Sequence, residues 1–520
     1  MGKACSKIWN CCKKEVSSAA IQTSEHVSSI EHSSSSVAPL LNTQEVSDSL
    51  SIARTVTPCK ATPASTREHH YHEDYLNYPI LLDEKTIEYC QMSKVMVILK
   101  GLPGSGKSFI ARRIQQLYPA AVMCSADSFF MHDGVYKFDR DKLKEAHKSC
   151  QQKALDAAQS SCNVIVIDNT NVQNWEAKYY LNLTKKYHYT PLILEPQTPW
   201  AMDPKELAER NSHGVPEAVI EQKVRSYEPV LPLYYWWFLN EVDSKKISMI
   251  ARQWLERALQ VQNFFQDFAE TTKLSTLEEM LNYHSRNAQQ GGYNVLHATA
   301  SVTRRGKVQH DLEYIQNPAV RKSLGKCFDL LIVGYVVTPR TFGARLKLGT
   351  SELELWGMDD NEIELENTSL PSENHTADKC PAECLDNSRD NLEIDSDRKY
   401  NCAQEMNIGT SSHCDTVNIL SSKLTSDRFY PTSGKGSRAH ITLGCAPNIH
   451  AKATGFDLIK VVSLEQRIKE SEKSEDSEVS NLKVQAYSIS EGTLKTYGDG
   501  IWVIYPEKEM TVSSMFSAFY

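Results

Sequence analysis

The chain has 520 residues, a net charge of -8 and 14 cysteines. That length suits several domains, and the acidic balance argues against a general nucleic-acid coating protein while leaving room for a local basic site. No segment approaches the run of about 18 apolar residues that a membrane-spanning helix needs, and the start lacks the apolar core of a secretory signal. The cysteines therefore read as reduced cytosolic thiols.

Met1-Gly2-Lys3-Ala4-Cys5-Ser6 fits the N-myristoylation pattern at Gly2. Cys5, Cys11 and Cys12 lie close by among lysines, as candidates for palmitoylation. One acyl chain binds a membrane only marginally, so a second chain or a basic patch is needed. Residues 1–14 are read as a lipid anchor for the cytoplasmic face of the plasma membrane. Residues 15–74 are rich in Ser, Thr, Ala and Val without a sustained period, and are read as a disordered spacer.

The first domain is set at 75–243. Val95–Leu99 is a short apolar run, followed by Gly101-Leu102-Pro103-Gly104-Ser105-Gly106-Lys107-Ser108 and the predicted helix Phe109–Leu117. This strand, glycine loop and helix form a P-loop. Gly101, Gly104 and Gly106 let backbone N–H groups close on phosphate oxygens. Lys107 adds a full charge, and Ser108 a ligand for Mg²⁺. ATP with Mg²⁺ is the cofactor expected there. Further apolar runs end in Asp127 and Asp168, and Pro191–Glu195 supplies a fourth strand. Such strands alternating with helices predict an α/β domain with a parallel sheet, both aspartates emerging beside the loop.

Residues 244–286 read as a helical connector, with Ile250, Trp254, Ala258, Val261, Phe264, Phe265 and Phe268 recurring at steps of three and four as packed core. The second domain, 287–520, mixes strands and helices. Within it, about 359–428 reads as a disordered acidic insertion: 359–399 carries 13 Asp and Glu against 4 Lys and Arg. The irregular spacing of Cys380, Cys384, Cys402, His413 and Cys414 argues against a zinc site.

Two short repeats in this domain carry the chemistry. His297-Ala298-Thr299 and His440-Ile441-Thr442 each sit in a strand-like flank. A period of two puts His and Thr on one face, so two such strands offer two imidazoles and two hydroxyls to one phosphate. Imidazoles titrate near neutrality, so one can accept a proton while the other donates one.

These motifs resemble the myelin-type 2′,3′-cyclic-nucleotide 3′-phosphodiesterases of the two-histidine (2H) phosphoesterase superfamily. The resemblance covers about 75–520 apart from the insertion. It is carried by Leu102–Ser108, Asp168–Asn171, Leu231–Tyr234, Val295–Thr299, Val337–Pro339, Gly343–Arg345, Gly436–Ala446 and Thr454-Gly455. It implies a two-lobed α+β domain that opens 2′,3′-cyclic phosphates, of free nucleotides or RNA ends, to 2′-phosphates without a cofactor. It implies His440 as base, His297 as acid, and Thr299 and Thr442 as donors to the phosphate. The first domain resembles polynucleotide 5′-kinases, which implies Asp127 as a base toward a 5′-hydroxyl and Arg210, in a lid over 210–216, reaching phosphate. The family's usual prenylated C-terminal box is not matched by Phe516–Tyr520, so Gly2 is the expected anchor. Two alternatives stay open: a non-catalytic scaffold between membrane and cytoskeleton, and a dual RNA-end-healing kinase and phosphodiesterase.

Overall fold

A computed structural model describes residues 75–520 apart from Gly134, 285–294, 359–433 and 472–483. The lipidation candidates Gly2, Cys5, Cys11 and Cys12, the spacer and the acidic insertion lie outside the described residues. No helix among the described residues is long and apolar enough to cross a membrane.

The strands of the first half are β1 (Val95–Leu99), β2 (Val122–Cys124), the short ladder β3 (Met131–His132) and β4 (Val135–Tyr136), β5 (Val164–Ile167) and β6 (Thr190–Leu194). Order β2-β5-β1-β6, with every pairing parallel, makes the expected sheet. Every residue of β1 is buried because alternate side chains enter different cores. Val95, Val97 and Leu99 pack with Ile110, Ala111 and Ile114 of the helix after the glycine loop. Met96 and Ile98 pack with Ala146, Cys150 and Tyr180 of two helices on the other face. Helices on both faces are what uninterrupted apolar strands require.

The second half holds β7 (Tyr234–Leu239), β8 (His297–Val302), β9 (Cys327–Val337), β10 (Thr341–Lys347), β11 (His440–Cys445), β12 (Gln485–Ile489), β13 (Gly492–Gly498), β14 (Ile501–Pro506) and β15 (Met510–Phe519). They run antiparallel in the order β10-β11-β8-β7-β15-β9-β14-β13-β12, and β10 also pairs β9. That extra pairing closes six strands into a barrel, with β14, β13 and β12 as an extension. The long β9 makes this possible: β15 and β14 share one of its edges in succession, and β10 takes the other. Hydrogen bonding joins all nine strands in one sheet.

The sequence division after residue 243 leaves Tyr234–Leu239 with the first domain. Its hydrogen bonds go to β15 and β8, so it belongs to the barrel. The stretch expected as one helical connector is three helices, Glu241–Leu259, Gln262–Thr272 and Leu277–Asn282. Lys273 at φ 60° ends the second. A capping box of Thr276 and Glu279 starts the third. Trp254, Ala258, Phe264 and Phe268 are buried in the hydrophobic core they share with the barrel strands, as their spacing predicts. The two sheets pack within one compact unit, where Tyr89 Oη donates to the Phe238 carbonyl at 2.9 Å and Ser517 Oγ to the Pro191 carbonyl at 2.5 Å.

Candidate active site

β8 and β11 lie side by side, and Ile441 pairs with Ala298. In antiparallel counting this sets His440 opposite Thr299 and Thr442 opposite His297. Ala298 and Ile441 are buried in the large hydrophobic core of the second half, while the two His and two Thr are half-buried on the opposite face. The two motifs, far apart in the chain, thus form one four-residue constellation.

His440 is held by its Nδ1, 2.7 Å from the Arg438 carbonyl. A carbonyl only accepts, so Nδ1 carries the proton and a neutral ring keeps its lone pair on Nε2. Burial holds this imidazole below its ordinary pKa; the carbonyl bond and Asp457 oppose that pull, and the Arg438 charge adds to it. Against the ring lies the first turn of the helix Ala453–Ser471: a Cβ on Gly455 would come within 3.2 Å of His440 Cε1. The Thr442 hydroxyl meets the Thr454 hydroxyl at 3.0 Å. His297 stacks on Trp236, which sits on the neighbouring β7, with ring centroids 3.7 Å apart.

The helix that supplies Thr454 and Gly455 is clipped to the barrel twice. Asp457 is buried and accepts from Thr338 Oγ1 at 2.8 Å, Thr341 Oγ1 at 2.7 Å and Arg340 Nε at 3.0 Å. Glu465 is bound bidentately by Arg345 and accepts from Tyr497 and Tyr505. Trp236, Asp457 and Glu465 are functional neighbours that the motifs of the sequence do not single out. For Trp236 the signal was present: Tyr234, Trp236 and Phe238 alternate on one face of a strand.

In the first domain Gly104, at φ 80°, is packed where a Cβ would meet the Leu207 carbonyl at 2.5 Å, and Gly106, at φ 106°, precedes the helix Lys107–Leu117. Gly101 N–H donates to the Thr170 carbonyl at 2.9 Å. Lys107 Nζ donates to the Leu102 carbonyl at 2.9 Å. Burial pulls its pKa down to about 8, against the influence of Asp168 and Asp127. Burial pushes the Asp168 carboxyl up, opposed by Lys107 and a hydrogen bond to Ser108. Asp127 accepts from Tyr136 Oη at 3.1 Å and lies 3.6 Å from His213 Nε2. Arg210 is engaged elsewhere: it pairs with Glu206 at 3.0 Å and stacks 4.0 Å over Trp200. The Asp168–Asn171 segment is largely stitching, with Asn169 Oδ1 accepting from Ala126 N–H and Asn171 Nδ2 donating to the Leu99 carbonyl.

Among the described residues no group of His, Cys, Asp and Glu is arranged to hold a metal ion. Comparison with known proteins fits this geometry. The family model for 2′,3′-cyclic nucleotide 3′-phosphodiesterase matches 231–403 and 421–520, and an AAA domain model matches 96–230. The chain is 27% identical over 447 residues to a 2′,3′-cyclic-nucleotide 3′-phosphodiesterase of Rattus norvegicus, covering 86% of this chain and 87% of that one. A protein of the same name from Pongo abelii is 27% identical over 451 residues, with the same coverage of each chain. Human NEDD4-binding protein 2 is 46% identical over 134 residues, 26% of this chain and 8% of that one. With a P-loop-like domain on a parallel sheet followed by a sheet barrel bearing both His-x-Thr motifs, the chain belongs to the 2′,3′-cyclic nucleotide 3′-phosphodiesterase family.

Proposed function

We propose that this chain hydrolyses nucleoside 2′,3′-cyclic phosphates, as free nucleotides or RNA ends, to 2′-phosphates. One observation carries the reading: His297, Thr299, His440 and Thr442 share one face of two paired strands. Nε2 of His440 takes a proton from water as its oxygen bonds to phosphorus. The bond from phosphorus to O3′ breaks, and His297 protonates the departing oxygen. Thr299 and Thr442 donate to the phosphate oxygens as charge builds there. The tautomer of His440 supports the base role, since its proton is committed to the Arg438 carbonyl.

At the P-loop, Lys107 and the glycine backbone fit the phosphates of ATP, and Ser108 fits its Mg²⁺. Bound ATP would supply a phosphoryl group. Asp127, beside His213 of the lid segment, favours a second activity on 5′-hydroxyls. N-terminal acylation at Gly2, with Cys5, Cys11 or Cys12 as second signal, would hold the enzyme on the inner membrane surface. Failure of Gly2→Ala to abolish myristate incorporation would remove that part of the proposal.

Product analysis on a cyclic-phosphate oligonucleotide tests the main reading. The expected product is the 2′-phosphate, and His297→Ala or His440→Ala should each slow turnover by about 10²- to 10⁴-fold. Wild-type turnover in both variants would overturn it. Transfer of the γ-phosphate to an RNA 5′-hydroxyl, lost in Lys107→Ala, would support the second activity.

A further inference from the structure

The Trp236 indole lies flat on the His297 imidazole, with centroids 3.7 Å apart and planes within 14°. Its own position is fixed from other directions. Phe519 stacks on it at 4.2 Å and 21°, and Tyr234 at 5.4 Å and 18°. Beyond Phe519, Lys185 Nζ caps the column, 4.9 Å from the phenyl centroid. Trp236 is only 8% exposed, so it is a clamped wall and not an open platform for a base.

We infer that Trp236 is a positioning residue for hydrolysis: it fixes the plane of the His297 ring and favours the imidazolium that a general acid needs. The inference rests on the two-histidine reading. A flat contact leaves the imidazole free to move in its own plane but opposes tilting, so the edge bearing the acidic proton stays aimed across the shared face. An indole face is electrostatically negative and attracts a cation more than a neutral ring. Protonated His297 therefore gains from the stack, and neutral His297 gains only dispersion.

Among the described residues, the titratable and charged groups on the surrounding elements include Tyr234 on β7, His440 on β11, Lys185 beyond Phe519 with Arg305 near it, and Arg438 and Asp457 beside His440. The cations among them oppose a second positive charge. The indole stacked on His297 favours one. His440 instead bonds the Arg438 carbonyl and faces Gly455, where an added Cβ would come within 3.2 Å of its Cε1. The two histidines thus differ in surroundings as an acid and a base must.

The test compares Trp236→Phe, Trp236→Leu and His297→Gln with the full chain on a 2′,3′-cyclic nucleotide. Trp236→Phe keeps an aromatic face and should retain kcat within about threefold. Trp236→Leu should lose about tenfold or more in kcat with KM nearly unchanged, and its basic pH limb should move down by about 0.5 to 1 unit. Equal kcat and an unmoved limb in Trp236→Leu would overturn the inference. A second readout does not need that variant to fold. The emission of Trp236, taken as wild type minus Trp236→Phe, should titrate with His297 and stop titrating in His297→Gln. A signal that does not titrate, or titrates alike in His297→Gln, would also overturn it. If His297→Gln keeps wild-type turnover, the two-histidine reading itself fails, which is a separate result.

Discussion

Arg345 and Glu465 meet as a buried bidentate pair, Nη1 to Oε1 at 2.8 Å and Nη2 to Oε2 at 2.6 Å. Arg345 pairs directly with His440 across β10 and β11, while Glu465 lies on the helix whose first turn touches the His440 ring. The pair therefore ties the strand beside His440 to the helix that walls it.

Breaking this pair from one side strands a charge in the interior. Arg345→Met is expected to cost about 3–5 kcal/mol, read as a lowered urea midpoint. Replacing both partners with apolar residues should recover much of that loss. Equal destabilisation in the single and double variants would show that the pair is not the reason for the cost.

Gly455→Ala separates stability from activity. Alanine in place of a helical glycine should stabilise by about 0.5–1 kcal/mol. Its Cβ, however, would press on His440 Cε1 from 3.2 Å and displace the ring. The expected outcome is an unchanged or raised Tm with kcat reduced about tenfold or more, because small misplacements of a catalytic group are costly. Full activity in this variant would mean the ring has room to yield.

The pH dependence of kcat/KM has a definite sign. The base must be neutral, and it gains a proton as pH falls through its pKa. Burial holds His440 below its ordinary 6.5, so the acid limb should have its midpoint below pH 6.5. A midpoint clearly above that value would contradict His440 as base.

ATP affinity should also depend on pH. Lys107 is a full cation below its pKa of about 8 and loses charge as pH rises through it. Calorimetry should find ATP binding weaker above pH 8, with proton uptake on binding. In Lys107→Met that proton uptake should vanish and affinity should drop about 10- to 100-fold, the worth of a hydrogen bond to a charged group. Unchanged affinity in Lys107→Met would mean that nucleotide does not use this loop.

Much of the first domain was legible because its signals are local. An apolar strand, a glycine loop and a helix start within a few residues, and the helices on both faces follow from strands apolar at every position. The His-x-Thr motifs were legible for the same reason, since a period of two states which side chains share a face. β7 was not. Tyr234–Leu239 follows the first domain directly, but its partners are β8 and β15, and Tyr234 pairs with Phe519 near the chain end. Nothing local distinguishes a strand that extends the first sheet from one that enters a second. Barrel closure was hidden likewise, because it depends on the length of β9 and on two strands sharing one of its edges.

Residue types, their alternation along a strand and the spacing of the glycine loop follow from covalent order, so the chain alone determined that it carries a glycine-rich loop of P-loop pattern and two His-x-Thr faces. Which strands meet and which ring lies against His297 depend on partners far along the chain, and which nitrogen of His440 holds the proton depends on how the strand end turns the Arg438 carbonyl onto the ring. Only the closed sheet decided these, because hydrogen bonding and ring packing act between neighbours in space and are indifferent to order along the chain.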